Sequence, residues 1–387
     1  MVTPVDFSDS PELADLRAAV GAITDRFGGD YYARKAEARE PTTELWRALG
    51  EHGYIGINIP EAYGGGGAGL TELVAVCEET AAHGCPLLLL LVSSAISGEV
   101  ISAYGTEEQR KTWLPRLATG ESKVVFAITE PDAGSNTHKL ATTATRDGGH
   151  YVLRGTKHYI SGVDEADAIL VVTRTGTDER GRARLSLFIV DTDAPGLVAQ
   201  HLPVSIAVPE RQFTLFFDDV RVGADRLVGA EGDGFGQVFH GLNPERITGA
   251  ASCVGIGRYA LAKASAYASD RVVWDQPIGA HQGIAHALAA AKIEVELAAL
   301  MTARAAWLHD HGQPAGEAAN MAKYAAAEAS IAAVDAAIQT HGGNGLSAEY
   351  GLLPLWGLAR LLRIAPVSRE MILNYVAQHS LGLPRPY

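Results

Sequence analysis

The hydrophobic period of this chain changes twice, and that restricts its fold more than any single motif does. Up to about residue 121, helix-like stretches alternate with Gly and Pro breaks. From about 122 to 235 the apolar runs become short and rich in β-branched and aromatic residues: "VVFAI", "YVLRGTKHYI", "AILVVTRT", "LSLFIVD" and "RQFTLFFDDVRV", separated by Gly and Asp turns. From about 236 the pattern is helical again, and the helices are long. Ala, Gly and Ser recur along "NPERITGAASCVGIGRYALAKASAYASDRVVW", and two further Ala-rich stretches follow. Small residues let helices approach closely, which suits a tight bundle. These stretches are apolar over more than one face, so subunits are expected to pack there.

The bulk properties agree with a globular protein. A chain of 387 residues with 47% hydrophobic and 20% charged residues can bury a sizeable core in two or three domains. The net charge is −13 with no dense Lys/Arg block, which argues against a nucleic-acid surface. A few local arginines could still hold a phosphate. Cys77, Cys85 and Cys253 stand too far apart in sequence for a metal-type pair or a disulfide framework, and a reducing cytoplasm is the simple reading. The N-terminus is polar and acidic, unlike a signal peptide. "CPLLLLLVSSAISG" is too short to span a bilayer and is expected to be a buried helix.

Local signals place some boundaries. Ser8 or Ser10 could cap a first helix with Pro11 in its first turn. "YGGGGAGL" (63–70) lacks the setting of a phosphate loop and reads as a plain turn. "GTEEQRKTWLPRLATGE" reads as a polar connector in which Thr106 is a cap.

"AITEPDAGSN" (127–136) is the stretch that points to a ligand. An apolar strand ends in hydroxyls, small residues and free backbone N–H groups, which suits the alternating donors and acceptors of an isoalloxazine edge. This stretch, "FFDDVRVGADRLVG", "DRVVW…HQGIAHALA" and "QTHGGNGLSAEYGL" (339–352) occur in order over nearly the full length. Together they resemble the acyl-CoA dehydrogenase family of FAD enzymes, with Asn136 in place of the more usual Asp. The resemblance implies an α+β multidomain fold. It would have an N-terminal helical domain over 1–121, a β-barrel-like middle domain over 122–235 and a C-terminal four-helix bundle over 236–387. It also implies that Phe126, Ile128 and Thr129 line the flavin, with Thr129 on the pyrimidine side, and that Ser135 sits between flavin and substrate. "KHYISG" (157–162) resembles the second flavin strand, with Tyr159 against the ring and Ser161 on N5. Arg271 matches a pyrophosphate-contacting arginine. His281, Gln282, Gln339, Gly342 and Gly343 match positions that reach the FAD of a neighbouring subunit, although "HGGNG" alone is also a plain helix cap. Ser368 matches a Thr of the family, and Glu370 replaces a Gln that often contacts FAD. No metal is implied. The implied assembly is a homotetramer, and the implied partners are an acyl-CoA and an electron-transfer flavoprotein.

The reaction needs a carboxylate to take the α-proton of the thioester. The family's commonest base lies in an aromatic-Glu-Gly-Thr run. Here the matching stretch is "LLRIAPVSREMILNY", with Pro366 in the Glu position and Val367 in the Gly position. Other members carry the Glu at the start of the long helix, directly before an Arg, and "HGLNPERITG" supplies Glu245 and Arg246. Asn243 and Arg246 match substrate-side positions. A first-turn Glu is common in any helix; Pro366 in the other slot is what favours Glu245 as the base. A helix start would favour the carboxylate, whereas burial would raise its pKa, and the sequence leaves that balance open. Two other functions share these features: a flavin-dependent oxygenase or oxidase on the same fold, and a non-catalytic partner subunit.

Overall fold

The computed structural model describes residues 9–179 and 181–385. Its N-terminal part is helical: α1 (Pro11–Asp25), α2 (Gly28–Ala38), α3 (Thr43–Glu51), α4 (Leu70–Ala82), α5 (Glu99–Tyr104) and α6 (Glu107–Ala118). Ser10 caps α1 by accepting the Leu13 N–H; Ser8 lies outside the described residues. The Gly-rich stretch folds back on residues 56–59 through backbone hydrogen bonds, as expected of a turn. "GTEEQRKTWLPRLATGE" is not a connector. Thr106 and Gln109 form a reciprocal capping box, and the helix it starts, α6, buries Trp113, Leu114 and Leu117. The apolar run before α5 is buried as expected, but Leu90–Gly98 is wound as a π-helix and not as an α-helix.

The middle part holds β1 (Val124–Ala127), β2 (Thr143–Asp147), β3 (His150–Ser161), β4 (Ala168–Thr177), β5 (Ala183–Asp191), β6 (Leu197–Leu202), β7 (Gln212–Gly223) and β8 (Leu227–Val228). The sheet runs β6-β7-β3-β2-β4-β5-β8, with β1 parallel to β4. It does not close into a barrel. Its end strands β6 and β8 do not pair with each other among the described residues, and in the middle β1 occupies the edge of β4 over Ala168–Val171 while β2 meets β4 only at Thr143↔Arg174. The sequence pattern missed β2, β6 and β8, which are short or mostly solvated and so carry little apolar alternation.

The C-terminal part is built on α7 (Gly234–Asp270), α8 (Gln282–Asp310) and α9 (Gly316–His341). A two-stranded hairpin, β9 (Val272–Val273) and β10 (Gln276–Pro277), joins α7 to α8, and α10 (Leu352–Ile364) and α11 (Arg369–His379) complete the bundle. α7 starts at Gly234, well before the Asn243-Pro244 pair that reads as a helix start. Pro244 is inside the helix, and Thr248 Oγ1 donates to its carbonyl at 2.9 Å. A proline in a helix interior costs about 3 kcal/mol; burial of Ile247, Thr248, Ala250 and Ala251 one turn further on offsets it.

α7 also ties the bundle to the N-terminal helices. Buried Glu78 of α4 pairs with Arg17 of α1 at 3.1 Å and with Arg258 of α7, and Arg258 reaches Glu296 of α8 at 2.9 Å. Beside this network Gly255 lets α7 touch α4: a Cβ there would collide with the Glu78 carbonyl oxygen. Gly255→Ala is therefore expected to cost about 1–3 kcal/mol and to lower the thermal unfolding midpoint. Gly236→Ala, on the same helix but with open space around it, should leave the midpoint unchanged or slightly raised.

Candidate active site

The end of β1 is held by a buried lysine. Lys157 on β3 is completely buried; its Nζ donates to the Ile128 carbonyl at 2.9 Å and to Glu130 Oε1 at 2.8 Å. Glu130 in turn accepts the N–H groups of Ala141 (2.7 Å) and Thr142 (3.0 Å). The two partners respond differently because the lysine is buried more deeply. Desolvation pushes Lys157 down to about 8, against the pull of Glu130. At Glu130 burial pushes the carboxyl up, but Lys157 and the two N–H donors outweigh it and hold the group below its ordinary value. The His158 N–H donates to the Thr129 carbonyl at 2.8 Å, which fastens the same turn to β3.

Just beyond, β3 slips register between Lys157 and Ile160, and Tyr159 sits at φ 57° and is 59% exposed. A positive φ is unusual for an aromatic residue, and here it turns the ring out of the sheet. Ser161 Oγ donates to Gln212 Oε1 at 3.0 Å. Ile128, Thr129, Tyr159 and Ser161 thus come together on one sheet edge. Phe126 is packed beneath it in the core, and Ser135 is exposed on the turn after β1.

The π-helix links this edge to α7. Ser93 Oγ accepts the Val124 N–H of β1 at 3.1 Å, Leu89 lies against Gly162, and Leu91 faces Gly249 of α7. One turn before Gly249 is Glu245. On the same face of α7, a Cβ at Gly249 would lie 4.0 Å from the Pro366 ring, so Glu245 and Pro366 border one space. Glu245 is not in the first turn, so the helix-start effect, which fades within a turn, does not reach it. Glu245 as a residue is half-buried, and desolvation by the surrounding protein pushes its carboxyl up to about 7, against the opposing charges of Arg246 and Lys323.

Arg246 Nη1 donates to Asn243 Oδ1 at 2.8 Å, while its Nε is buried with no partner among the described residues. An aromatic row runs from this guanidinium to the turn after β1: it stands 6.0 Å from the Phe239 ring, Phe239 is 4.8 Å from Phe235, and Phe235 stacks on His138 at 5.6 Å.

A separate group lies at the far end of α7. Asp270 follows Glu245 by 25 residues of unbroken helix, roughly 38 Å at 1.5 Å per residue. Arg271 ends α7, and its carbonyl accepts the Ile278 N–H just before His281 and Gln282 open α8. His281 Nε2 is buried with no partner among the described residues. Tyr267 stacks on His341 at 4.2 Å and accepts from Asn344, which brings in the end of α9 with Gln339, Gly342 and Gly343. Side chains at either glycine would meet open space. Within one chain these residues are not brought to the sheet edge. Ser368 caps α11 and, with Arg360, Arg363, Arg369 and Glu370, lines a small hollow.

Family models for the acyl-CoA dehydrogenase N-terminal, middle and C-terminal domains match residues 10–121, 125–220 and 232–381. The chain belongs to the acyl-CoA dehydrogenase family. It is 56% identical over 388 residues to acyl-CoA dehydrogenase FadE12 of Mycobacterium tuberculosis, covering all of both chains. Its fold is similar to that of butyryl-CoA dehydrogenase from Megasphaera elsdenii, with a TM-score of 0.92 at 26% identity over 97% of this chain and all of that one. It is also similar to a glutaryl-CoA dehydrogenase from Mycobacterium smegmatis in complex with FADH2 (TM-score 0.91, 26% identity, 98% of this chain and 96% of that one).

As a member of this family the chain is an FAD-dependent oxidoreductase. The residues fit a flavin dinucleotide: an aromatic ring turned out of the sheet beside a strand end, an orphaned imidazole nitrogen, an exposed arginine and two glycines facing open space. Sequence reasoning missed Lys157, Glu130 and Lys323. A buried lysine inside a flavin-strand motif was the available signal for the first.

Lys157→Met leaves Glu130 charged and unpaired in the interior. It should destabilise the fold by about 3–5 kcal/mol, read as a drop in the unfolding midpoint. Adding Glu130→Gln should recover part of the loss.

Proposed function

We propose that this dehydrogenase oxidises an acyl-CoA between its α and β carbons, with Glu245 as the base. The observation that carries this reading is the placement of Glu245 beside Pro366. Of the two positions bordering that space, Pro366 has no acid–base group, and Glu245 offers a carboxyl whose pKa, about 7, suits a general base near neutral pH. Burial serves the chemistry here: a base matched to the working pH accepts a proton more readily than an ordinary carboxylate does.

Arg246 and Asn243 line the thioester side, and Ser135 stands on the opposite turn. Ile128, Thr129, Tyr159 and Ser161 hold the ring system at the sheet edge, over Phe126. FAD, when bound, accepts the β-hydride at N5. The same chain cannot place Arg271, His281, Gln282, Gln339, Gly342 and Gly343 at that edge, given the length of α7. They serve the dinucleotide of a neighbouring subunit in a homotetramer, with Ser368 as a further contact. Ile293, Leu297, Leu300 and Trp307, exposed at helical spacing on α8, supply an apolar face for that assembly. The domain limits 1–121, 122–235 and 236–387 belong to this proposal. So do transfer of electrons to an electron-transfer flavoprotein and a cytoplasmic location. Three free, buried thiols and the lack of a membrane-crossing helix among the described residues are compatible with that location.

The test is anaerobic addition of acyl-CoA substrates to the FAD-loaded enzyme while flavin absorbance is followed. Glu245→Gln keeps size and shape but cannot take a proton, so flavin reduction should fall by at least about 10²–10⁴-fold with FAD and thioester still bound. In the parent enzyme Glu245 is protonated below its raised pKa. The second-order rate of reduction should therefore climb with pH through about 7 and level off above it. Reduction by Glu245→Gln at the parent rate would place the base elsewhere. Rapid reoxidation of the reduced enzyme by oxygen alone would favour the oxidase reading, and no reduction by any acyl-CoA the partner-subunit reading.

A further inference from the structure

A buried cation faces the base and has no part in the reaction as written above. Lys323 on α9 is 1% exposed, on the apolar face formed by Ala319, Ala322 and Ala326. Its Nζ donates to the Val367 carbonyl at 3.1 Å. An ammonium has three N–H groups and is costly to bury unless paired, so what surrounds it matters.

From α7 it feels Glu245, Cys253 and Arg246, and from its own helix Glu328. Cys253 is a neutral thiol, pushed up to about 12 by burial. Glu328 is already engaged by Arg363 of α10 (2.6 Å) and by Arg369 of α11 (3.0 Å). Tyr375 of α11 interacts with Arg246. Residues 365–367, which carry the Val367 carbonyl, bring no charged side chain to the space. Of the carboxylates that act on Lys323, Glu245 is the one that forms no ion pair within 4.0 Å among the described residues.

We propose that Lys323 is a positioning residue for the base: it anchors the turn at Pro366 through the Val367 carbonyl and supplies the buried charge that keeps Glu245 ionised once the acyl chain has displaced water. The proposal rests on Glu245 being the base. Entry of the thioester strips water from the carboxylate and raises its pKa further, which would leave it protonated and inert at neutral pH. Arg246 opposes that rise too, and its pull is the larger of the two; Lys323 adds a second positive charge from α9. Lys323 is buried and tied to the Val367 carbonyl, on the helix packed against α7, so its charge is poorly screened. Burial also pushes its own ammonium down to about 8, which still leaves it charged at pH 7.

The experiment is single-turnover flavin reduction by an acyl-CoA, from pH 5.5 to 9, in FAD-loaded parent, Lys323→Met, Lys323→Gln and Lys323→Arg enzymes. An opposite charge at close range lowers a carboxyl by about 1–3 units. The acid limb should therefore move up by at least about one pH unit in Lys323→Met and in Lys323→Gln, and return in Lys323→Arg. Lys323→Gln can still donate to Val367, so a shifted limb there isolates the charge from the hydrogen bond. A limb at the parent pH in whichever of the two neutral variants holds FAD overturns the proposal. So does failure of both to fold, which would make Lys323 structural only. If instead Glu245→Gln reduces its flavin at the parent rate, the reading of the base has failed, and the limb belongs to another group.

Discussion

The close approach of α7 to its neighbours is the constraint on which the rest of the molecule depends. Four glycines on this one helix meet four different elements. Gly241 packs on Val100 of α5, Gly249 faces Leu91 of the π-helix, Gly255 meets the Glu78 carbonyl of α4, and Gly257 meets Val295 of α8. Any side chain at three of these positions would push a neighbour away. The helix is consequently held from several sides along its length, and the position of Glu245 follows from that. It also explains how Pro244 survives inside the helix: the packing around it outweighs one lost backbone hydrogen bond.

Two buried lysines, one on β3 and one on α9, use a common device. Lys157 fastens the Ile128 carbonyl at the end of β1, and Lys323 fastens the Val367 carbonyl between α10 and α11. Each is pushed down to about 8 by burial and each faces a carboxylate. Such ammonium groups make irregular segments rigid where no helix or sheet ladder can do so. The difference lies in the carboxylate. Glu130 is satisfied by two backbone N–H groups and stays an anion, whereas Glu245 has no such donors among the described residues and is pushed up to about 7.

The three-part order was legible in the sequence because each part has its own period, and the end of β1 was legible because an apolar run stops abruptly in donors. The start of α7 was not. Asn243 followed by Pro244 is a good cap signal, and only tertiary packing shows that the helix runs through it. The openness of the sheet was equally hidden, since strand periodicity does not say whether the end strands β6 and β8 will meet. Lys157 and Lys323 were passed over because a charged residue in an apolar pattern reads as an exposed exception. In both cases one partner is a backbone carbonyl, which leaves no mark in the sequence.

Proton removal by Glu245 is the central step proposed for this enzyme, and it can be watched without any redox chemistry. The measurement is deuterium wash-in from D2O at the α-carbon of 3,3-dimethylbutyryl-CoA, which has α-hydrogens but none on its β-carbon, using the FAD-loaded enzyme under anaerobic conditions. The parent should exchange the α-hydrogens with its flavin still oxidised, and Glu245→Gln should not. Exchange at equal rates in the two proteins would contradict the assignment of Glu245 as the base.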